Sequence, residues 1–222
     1  MDIETLEKTY AGKPILIIGN GPSGKHADFS EYSKGLKEPK KVWVFSCAWH
    51  EIHPYADLGW YMDDVHGPDL RVMQSKYSYQ ERVEMTANPS IPIITSHAYD
   101  YPQMVNYPLE RIVRFFKLTE SYFAETLNFA MAWGIMIGVK SLDLWGVDYK
   151  GVRPSERASF EYWAGRSNQA GIPIYNNPFS EALNDQGLDG INRHVPNLYG
   201  YLPHHVPVPY HIKSNGATKF GL

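Results

Sequence analysis

The fold class of this 222-residue chain is decided by Ile15-Leu-Ile-Ile-Gly-Asn-Gly-Pro-Ser23. The first four residues are apolar and largely β-branched, which predicts a short buried strand. They lead directly into a glycine-rich turn whose backbone can approach a ligand closely. In an open α/β sheet, nucleotide phosphates commonly lie at such a turn after the first strand. An ordinary strand-to-helix turn has the same composition, so other segments must decide between the two interpretations.

Short apolar runs alternate with helical periodicity along the chain, which predicts an α/β fold with a mostly parallel sheet. We expect helices at 122–137, ending before Gly138, and at 155–170, with Ser155 as N-cap and Gly171 as the stop. The strands are expected at 15–18, 42–45, 58–62, 91–95, 142–145 and 172–175.

The amino-acid composition changes after residue 178, where Pro, Asn, His and Tyr become frequent. We therefore expect an α/β domain at 1–183 and an irregular, proline-rich C-terminal arm at 184–222. Such an arm would cover the site as a lid or contribute to a homo-oligomer.

Composition excludes several classes of function. The formal charge of -3 leaves no electrostatic footprint for nucleic acid, so a nucleic-acid acceptor is possible but unsupported by charge. Cys47 is the only cysteine, which indicates a reducing compartment. No secretory segment opens the chain and the longest apolar run, near 129–139, is too short to span a membrane. We expect a cytoplasmic protein with no membrane partner.

Carboxylates follow two of the predicted strands. Asp63 and Asp64 come after the third strand, and Asp148 follows Gly146-Val147 after the strand at 142–145. At strand ends such groups hold ribose hydroxyls, act as bases or bind Mg²⁺, although paired acids are also common where helices begin. The histidines lack zinc-like spacing, and neither a G-x-S-x-G elbow nor a Walker A loop is present.

Three segments carry a family resemblance. Residues 18–23 read Ile-Gly-Asn-Gly-Pro-Ser, residues 126–149 hold a helix rich in small residues, a strand and Gly-Val-Asp-Tyr, and residues 172–180 read Ile-Pro-Ile-Tyr-Asn-Asn-Pro-Phe-Ser. Over residues 14–183 the chain resembles the small bacterial sialyltransferases of the Campylobacter type. It is similar also to phage and bacterial proteins of the 6-hydroxymethylpterin diphosphokinase-like (MptE-like) group, in which case it would act in the cytoplasm of a bacterial host.

The resemblance implies a modified Rossmann-like fold that binds a nucleotide-activated small molecule, such as a nucleotide-sugar donor. No cofactor beyond this cosubstrate is certain, and Mg²⁺ is possible. Asp148 and Tyr149 would line the phosphate side, where a phenol can stabilise a leaving phosphate. The residues implied to bind the nucleotide are Gly19, Asn20, Gly21, Ser23, Thr126 and Tyr149.

One departure from the sialyltransferases concerns the catalytic base. Those enzymes place a histidine near the start of the helix before the last strand, where this chain has Arg153, Glu156, Arg157 and Glu161. Glu156 or Glu161 would deprotonate an acceptor hydroxyl, or either is a solvated surface charge. Arg153 and Arg157 would clamp phosphate. Transfer of sialic acid itself is therefore not expected.

The leading hypothesis is a glycosyltransferase that moves a sugar from a nucleotide-sugar to a hydroxyl, with Asp148 orienting or deprotonating the acceptor. Asp148→Asn is then expected to abolish turnover and to leave the melting temperature within a few degrees. The first alternative is a Mg²⁺-dependent diphosphokinase acting on a pterin-like ring, with Asp63, Asp64 and Asp148 holding the metal. The second is a non-catalytic phage protein that binds nucleotides or serves in interactions.

Overall fold

The structure is a computed structural model. It describes residues 1–27, 40–45, 55–64, 66, 78–87, 89–119, 122–149 and 154–177. Arg153, Cys47 and the proline-rich segment at 184–222 lie outside these residues.

Within the described residues, seven parallel strands form one sheet. Their order across the sheet is β5-β4-β3-β2-β1-β6-β7, and every neighbouring pair is parallel. The strands are β1 (Pro14–Ile18), β2 (Lys41–Phe45), β3 (Leu58–Tyr61), β4 (Ile93–Thr95), β5 (Met104–Asn106), β6 (Ser141–Trp145) and β7 (Ile174–Asn176). The predicted α/β class with a Rossmann-like parallel sheet is confirmed.

Helices cover both faces of this sheet. They are α1 (Ile3–Tyr10), α2 (Tyr79–Ala87), α3 (Leu109–Phe116), α4 (Thr126–Ile137) and α5 (Pro154–Gln169), with a short 3₁₀ helix at Pro22–His26. The side chains of β1 show the layering, because Ile15 and Ile17 pack into one core and Leu16 and Ile18 into the other. A strand buried on both faces has no polar alternation, which is why 15–18 reads as a continuous apolar run.

Three tryptophans fill the core between the sheet and α4. Trp43, Trp60 and Trp133 are fully buried, and their ring centroids lie 5.3 to 5.6 Å apart. This cluster joins β2, β3 and α4 in a rigid layer beneath the loops that follow the strands.

The strand order reverses between β1 and β6. From β1 the chain builds outward through β2 to β5, and it then returns to the other side of β1 with β6 and β7. In open α/β sheets, a reversal of this kind is expected to place a crevice at the carboxyl ends of the two strands where it occurs. This topological switch point is where ligands bind in open α/β sheets.

All six strands expected from the sequence are found, with ends shifted by at most two residues, whereas β5, α1, α2 and α3 were not predicted. The helix expected from residue 122 begins at Thr126, because the side chain of Asn128 accepts the N–H groups of Ala124 (2.9 Å) and Glu125 (3.2 Å) and caps it there. Ser155 lies inside α5 and is not its N-cap.

Within the described residues, no helix has the length and apolar character needed to cross a membrane. Contacts between Cα atoms divide the chain into Met1–Ala182 and Leu183–Leu222. The second unit lies wholly outside the described residues, so the expected C-terminal arm stays a prediction.

Candidate functional site

Two turns meet at the switch point. The N–H of Gly19 donates to the carbonyl of Trp145 (2.8 Å), and the N–H of Gly21 donates to that of Gly146 (2.8 Å). The approach is close enough that a Cβ on Gly19 would stand 2.4 Å from the Gly146 oxygen. Gly146 also has φ of +68°, a conformation that other residues rarely adopt. The two glycines therefore allow one turn to rest directly on the other.

Asp148, in the second turn, is held by Ser23 of the first turn and by Asn177, which follows β7. Its Oδ2 accepts the N–H of Ser23 (2.9 Å), and its Oδ1 accepts the Ser23 hydroxyl in a short hydrogen bond. Asn177 donates its amide Nδ2 to the same Oδ1 (3.4 Å) and to the Leu144 carbonyl (3.3 Å). We call Ser23, Asp148 and Asn177 the switch-point cluster. Ser23 and Asn177 are each 2% exposed, so the carboxylate is fixed by buried partners.

Three backbone amides of the first turn bind groups of the chain itself. The N–H groups of Gly19, Gly21 and Ser23 donate to Trp145, Gly146 and Asp148 respectively. Phosphate binding at this turn stays a prediction. Asn20 and Pro22 are the exposed residues of the turn, and the role of Asn20 in binding a ligand stays a prediction.

Tyr149 is placed differently from the expectation. Its ring is buried against Phe160 (4.8 Å between centroids), and its hydroxyl donates to Glu125 Oε1. Burial, and next the negative charges of Glu125, Glu156 and Glu161, raise the pKa of Tyr149 far above its usual value. A phenol that is bound to a carboxylate and surrounded by negative charge is poorly suited to a leaving phosphate. Tyr149 thus joins the loop after β6 to the start of α4, and its part in binding a ligand stays a prediction.

Three buried tyrosines predict loss of stability at alkaline pH. Burial raises the pKa of Tyr10, Tyr107 and Tyr149 above the usual value near 10. Above about pH 10 the unfolded chain releases protons that the folded protein keeps. The free energy of unfolding is therefore unaffected by the ionisation of these tyrosines below that pH and decreases above it. Each tyrosine contributes a slope of about 1.4 kcal/mol per pH unit.

Urea unfolding between about pH 8 and pH 11 measures this slope. Tyr149→Phe should reduce the slope of the free energy of unfolding against pH by about 1.4 kcal/mol per pH unit, the contribution of one tyrosine. This change in slope is expected whatever the substitution does to the free energy of unfolding itself. An unchanged slope would show that the Tyr149 hydroxyl is not buried as described.

The remaining predicted residues near β6 lie at the starts of two helices. Thr126 is the first residue of α4 and is half-buried. Arg157 pairs with Glu161 one turn further along α5 (Nε to Oε1, 2.8 Å), and both side chains are about two-fifths exposed (44% and 42%). Arg157 is thus committed to a surface ion pair here, and phosphate binding by Arg153 and Arg157 stays a prediction.

Asp63 and Asp64 are not placed beside Asp148. They follow β3, whereas Asp148 follows β6, and the intervening strands β2 and β1 set the strand ends about 14 Å apart at ~4.8 Å per strand. Magnesium takes its ligands at about 2.1 Å, so the strand order does not favour one ion shared by all three residues. No group of three or more Asp, Glu, His or Cys side chains within the described residues is arranged to hold a metal.

Sequence reasoning missed two residues of this region, Asn177 and Glu125. Asn177 follows β7 as Asp148 follows β6. Its position after a predicted strand could therefore have identified it as a candidate site residue. Glu125 gave no signal, because its contact with Tyr149 joins residues 24 apart in the sequence.

Comparison with known proteins gives distant structural similarity. Neither a protein-family model nor a curated protein matches the sequence. The chain is similar to the sialyltransferase CstII from Campylobacter jejuni in complex with the substrate analogue CMP-3FNeuAc, at 19% identity over 74% of this chain and 79% of that one, with a TM-score of 0.46. It is similar also to the monofunctional alpha-2,3-sialyltransferase Cst-I from Campylobacter jejuni, at 17% identity over 74% and 75% of the two chains, with a TM-score of 0.48. Both belong to the family that the sequence motifs resemble, and the resemblance to pterin diphosphokinases stays a prediction.

Proposed function

We propose that this protein is a nucleotide-dependent transferase, and that it moves a sugar from a nucleotide-sugar donor to an acceptor hydroxyl. The observation that carries the proposal is the switch-point cluster, which fixes a half-buried carboxylate at the carboxyl ends of β1 and β6. Nucleotides bind at this position in doubly wound sheets, and a fixed carboxylate there can accept hydrogen bonds from ribose hydroxyls. The three sequence segments that resemble sialyltransferases supply the loops at these strand ends.

Asp148 has the preorganised geometry expected of a substrate-binding group. Its carboxylate receives two donors from Ser23 and one from Asn177, so little motion remains to be lost when a ligand binds. A carboxylate has about four lone-pair positions, which leaves capacity for a ligand hydroxyl. Asp148 is itself only half-buried, so a ligand in the crevice can reach it.

A base for the acceptor hydroxyl would come from the first turns of α5. Glu156 and Glu161 both act electrostatically on Tyr149, the residue next to Asp148, so they face the same end of the sheet. Glu161 is paired with Arg157, whose positive charge weakens it as a base. Glu156 is half-buried, lies in the first turn of α5 and acts more strongly than Glu161 on Tyr149, so we take it as the first candidate.

The two alternatives keep the fold and change the chemistry. The Mg²⁺-dependent diphosphokinase would need metal ligands in the crevice, and the distance between the ends of β3 and β6 does not favour it. A non-catalytic nucleotide-binding protein would bind the same ligands without turnover.

Thermal unfolding in the presence of nucleotides tests the proposal. With a nucleoside monophosphate or diphosphate at about 100 times its Kd, binding should contribute about 2.7 kcal/mol and raise the melting temperature by roughly 5–10 °C. CMP, UDP and GDP, each with EDTA or with Mg²⁺, are suitable probes, and slow hydrolysis of the matching nucleotide-sugar would be followed by chromatography.

Glu161→Gln serves as a matched control for Glu156→Gln, because both substitutions remove one negative charge from α5. Glu156→Gln should reduce transfer at least tenfold more than Glu161→Gln does, with both variants still stabilised by nucleotide. A response to ATP that requires Mg²⁺ would favour the diphosphokinase, and the absence of any nucleotide response would overturn the proposal.

A further inference from the structure

A second group of polar aromatic residues lies at the same edge of the sheet, after β3 and β4. His66 follows β3, and His97, Tyr99 and Tyr101 follow β4. We call these four residues the aromatic platform. Ring centroids lie 4.6 Å apart for His66 and Tyr99 and 4.4 Å apart for His97 and Tyr99, with Tyr101 about 6 Å from both His66 (6.0 Å) and Tyr99 (6.1 Å).

Hydrogen bonds organise the platform around Asp64. The hydroxyl of Tyr99 donates to Asp64 Oδ1 in a short hydrogen bond, and the N–H of His66 donates to the same oxygen (3.1 Å). The imidazole Nε2 of His66 lies 2.8 Å from the Tyr101 hydroxyl. The rings are thus held in one arrangement by side-chain contacts between two loops.

The platform is exposed to solvent, although it is ordered. Asp64, His66 and His97 are exposed, and Tyr99 and Tyr101 are half-buried. Tyr99 also adopts φ of +37°, which is unfavourable for a bulky side chain. Backbone strain at a half-buried aromatic residue, in a loop at the carboxyl edge of the sheet, is typical of a binding site.

The position of the platform relates it to the switch point. The platform follows β3 and β4, which lie three and four strands from β6, or about 14 to 19 Å along the sheet edge at ~4.8 Å per strand. A nucleotide-sugar bound at the switch point and extended towards β3 would direct its sugar to this side. The platform is therefore placed to receive the molecule to which that sugar is transferred.

The chemistry of the platform suits an uncharged polyhydroxylated ring. Aromatic faces pack against the C–H face of a sugar, and a carboxylate accepts its hydroxyl groups. Asp64 is an exposed carboxylate whose pKa is lowered, first of all by the hydrogen bond from Tyr99, so the platform carries a negative charge that is unfavourable to an anion. Asp63 adds a second carboxyl group beside it.

We infer that the aromatic platform binds the acceptor, and that this acceptor is a neutral sugar. The inference rests on the proposed function for the identity of the acceptor, but sugar binding by the platform can be measured without any donor. A merely structural platform, which only ties two loops together, would bind no sugar.

Saturation-transfer NMR with methyl galactoside, methyl glucoside and lactose tests direct binding. At least one of these sugars should give a signal that Tyr101→Ala reduces at least fivefold. His97→Ala is the second variant, because its exposed ring contacts Tyr99 at the surface and its removal leaves the core intact. Tyr122→Ala is the matched control, since Tyr122 is also an exposed, stacked tyrosine (39% exposed, 4.2 Å from Tyr162) but lies outside the platform.

In transfer assays the platform variants should raise the acceptor KM at least tenfold and change kcat less, whereas Tyr122→Ala should change neither. If no sugar binds, or if Tyr101→Ala and His97→Ala behave like Tyr122→Ala, the inference is wrong. Displacement of the sugar by CMP or UDP would reassign the platform to the donor and overturn it as well. Sugar binding without any nucleotide response would reject the proposed function and leave the platform as a sugar site.

Discussion

Asp148→Asn is expected to reduce turnover at least about 100-fold and also to destabilise the fold by about 1–3 kcal/mol. The carboxylate accepts from three donors, namely the N–H and hydroxyl of Ser23 and the amide of Asn177. An asparagine presents one NH₂ group in place of an acceptor oxygen, so at least one donor would face another donor. Asp148→Asn should therefore lower the melting temperature by roughly 2–12 °C, at 2–4 °C per kcal/mol for a chain of this size. The sequence alone led us to expect little change in stability.

Asp143→Asn provides the control for the loss of charge. Asp143 lies within the same strand, β6, and its carboxylate pairs with Lys40 (2.9 Å) away from the switch-point cluster. We expect Asp143→Asn to keep nucleotide binding and turnover, and Asp148→Asn to lose both. Calorimetry measures nucleotide binding, and donor-hydrolysis assays measure turnover. Full activity in Asp148→Asn, or equal loss in both variants, would remove Asp148 from the site.

Gly146→Ala is expected to destabilise the protein by about 3–5 kcal/mol, the largest effect on stability that we predict. The added Cβ would stand 2.3 Å from the Gly19 carbonyl oxygen, and φ at this position is +68°. The backbone of one turn must then move away from the other, which also displaces Ser23 from Asp148. Nucleotide binding should be lost together with stability.

Gly138→Ala separates the two causes of this effect. Gly138 has nearly the same conformation, with φ of +70°, but a Cβ there would meet nothing within 4 Å. Gly138→Ala should lower the free energy of unfolding by only about 1 kcal/mol, because the alanine must adopt a positive φ but meets no other atom. Urea unfolding of both variants measures the difference. If the two variants are equally stable, the contact between the turns is looser than described.

The sequence predicted the parts of the site better than their contacts. Gly19 to Ser23 and Gly146 to Tyr149 were both identified as strand-end turns, and the structure brings them together. The backbone amides of the first turn were interpreted as ligand donors, and in the structure three of them bind groups of the chain itself. That outcome depends on which strand lies beside β1, and no local pattern encodes it.

Tyr149 and Asp64 illustrate the same limit. Tyr149 was expected to face a phosphate because of its place in the motif, yet its partner is Glu125 on another element. In the alternative diphosphokinase hypothesis Asp64 would share a metal with Asp148, and in the structure its carboxylate is held by Tyr99 and His66. In each case the side chain binds a group that is distant in sequence.

The sequence by itself determined the α/β class, six of the seven strands and the two helices α4 and α5, because apolar runs and glycine stops act locally. It did not reveal β5, whose three residues Met104–Asn106 are too few to form a pattern. Only the tertiary structure decided that β6 pairs with β1, and therefore that Ser23, Asp148 and Asn177 meet. The physical reason is that strand order is fixed by packing and hydrogen bonding across the whole sheet, whereas strand formation is favoured by the residues of each segment.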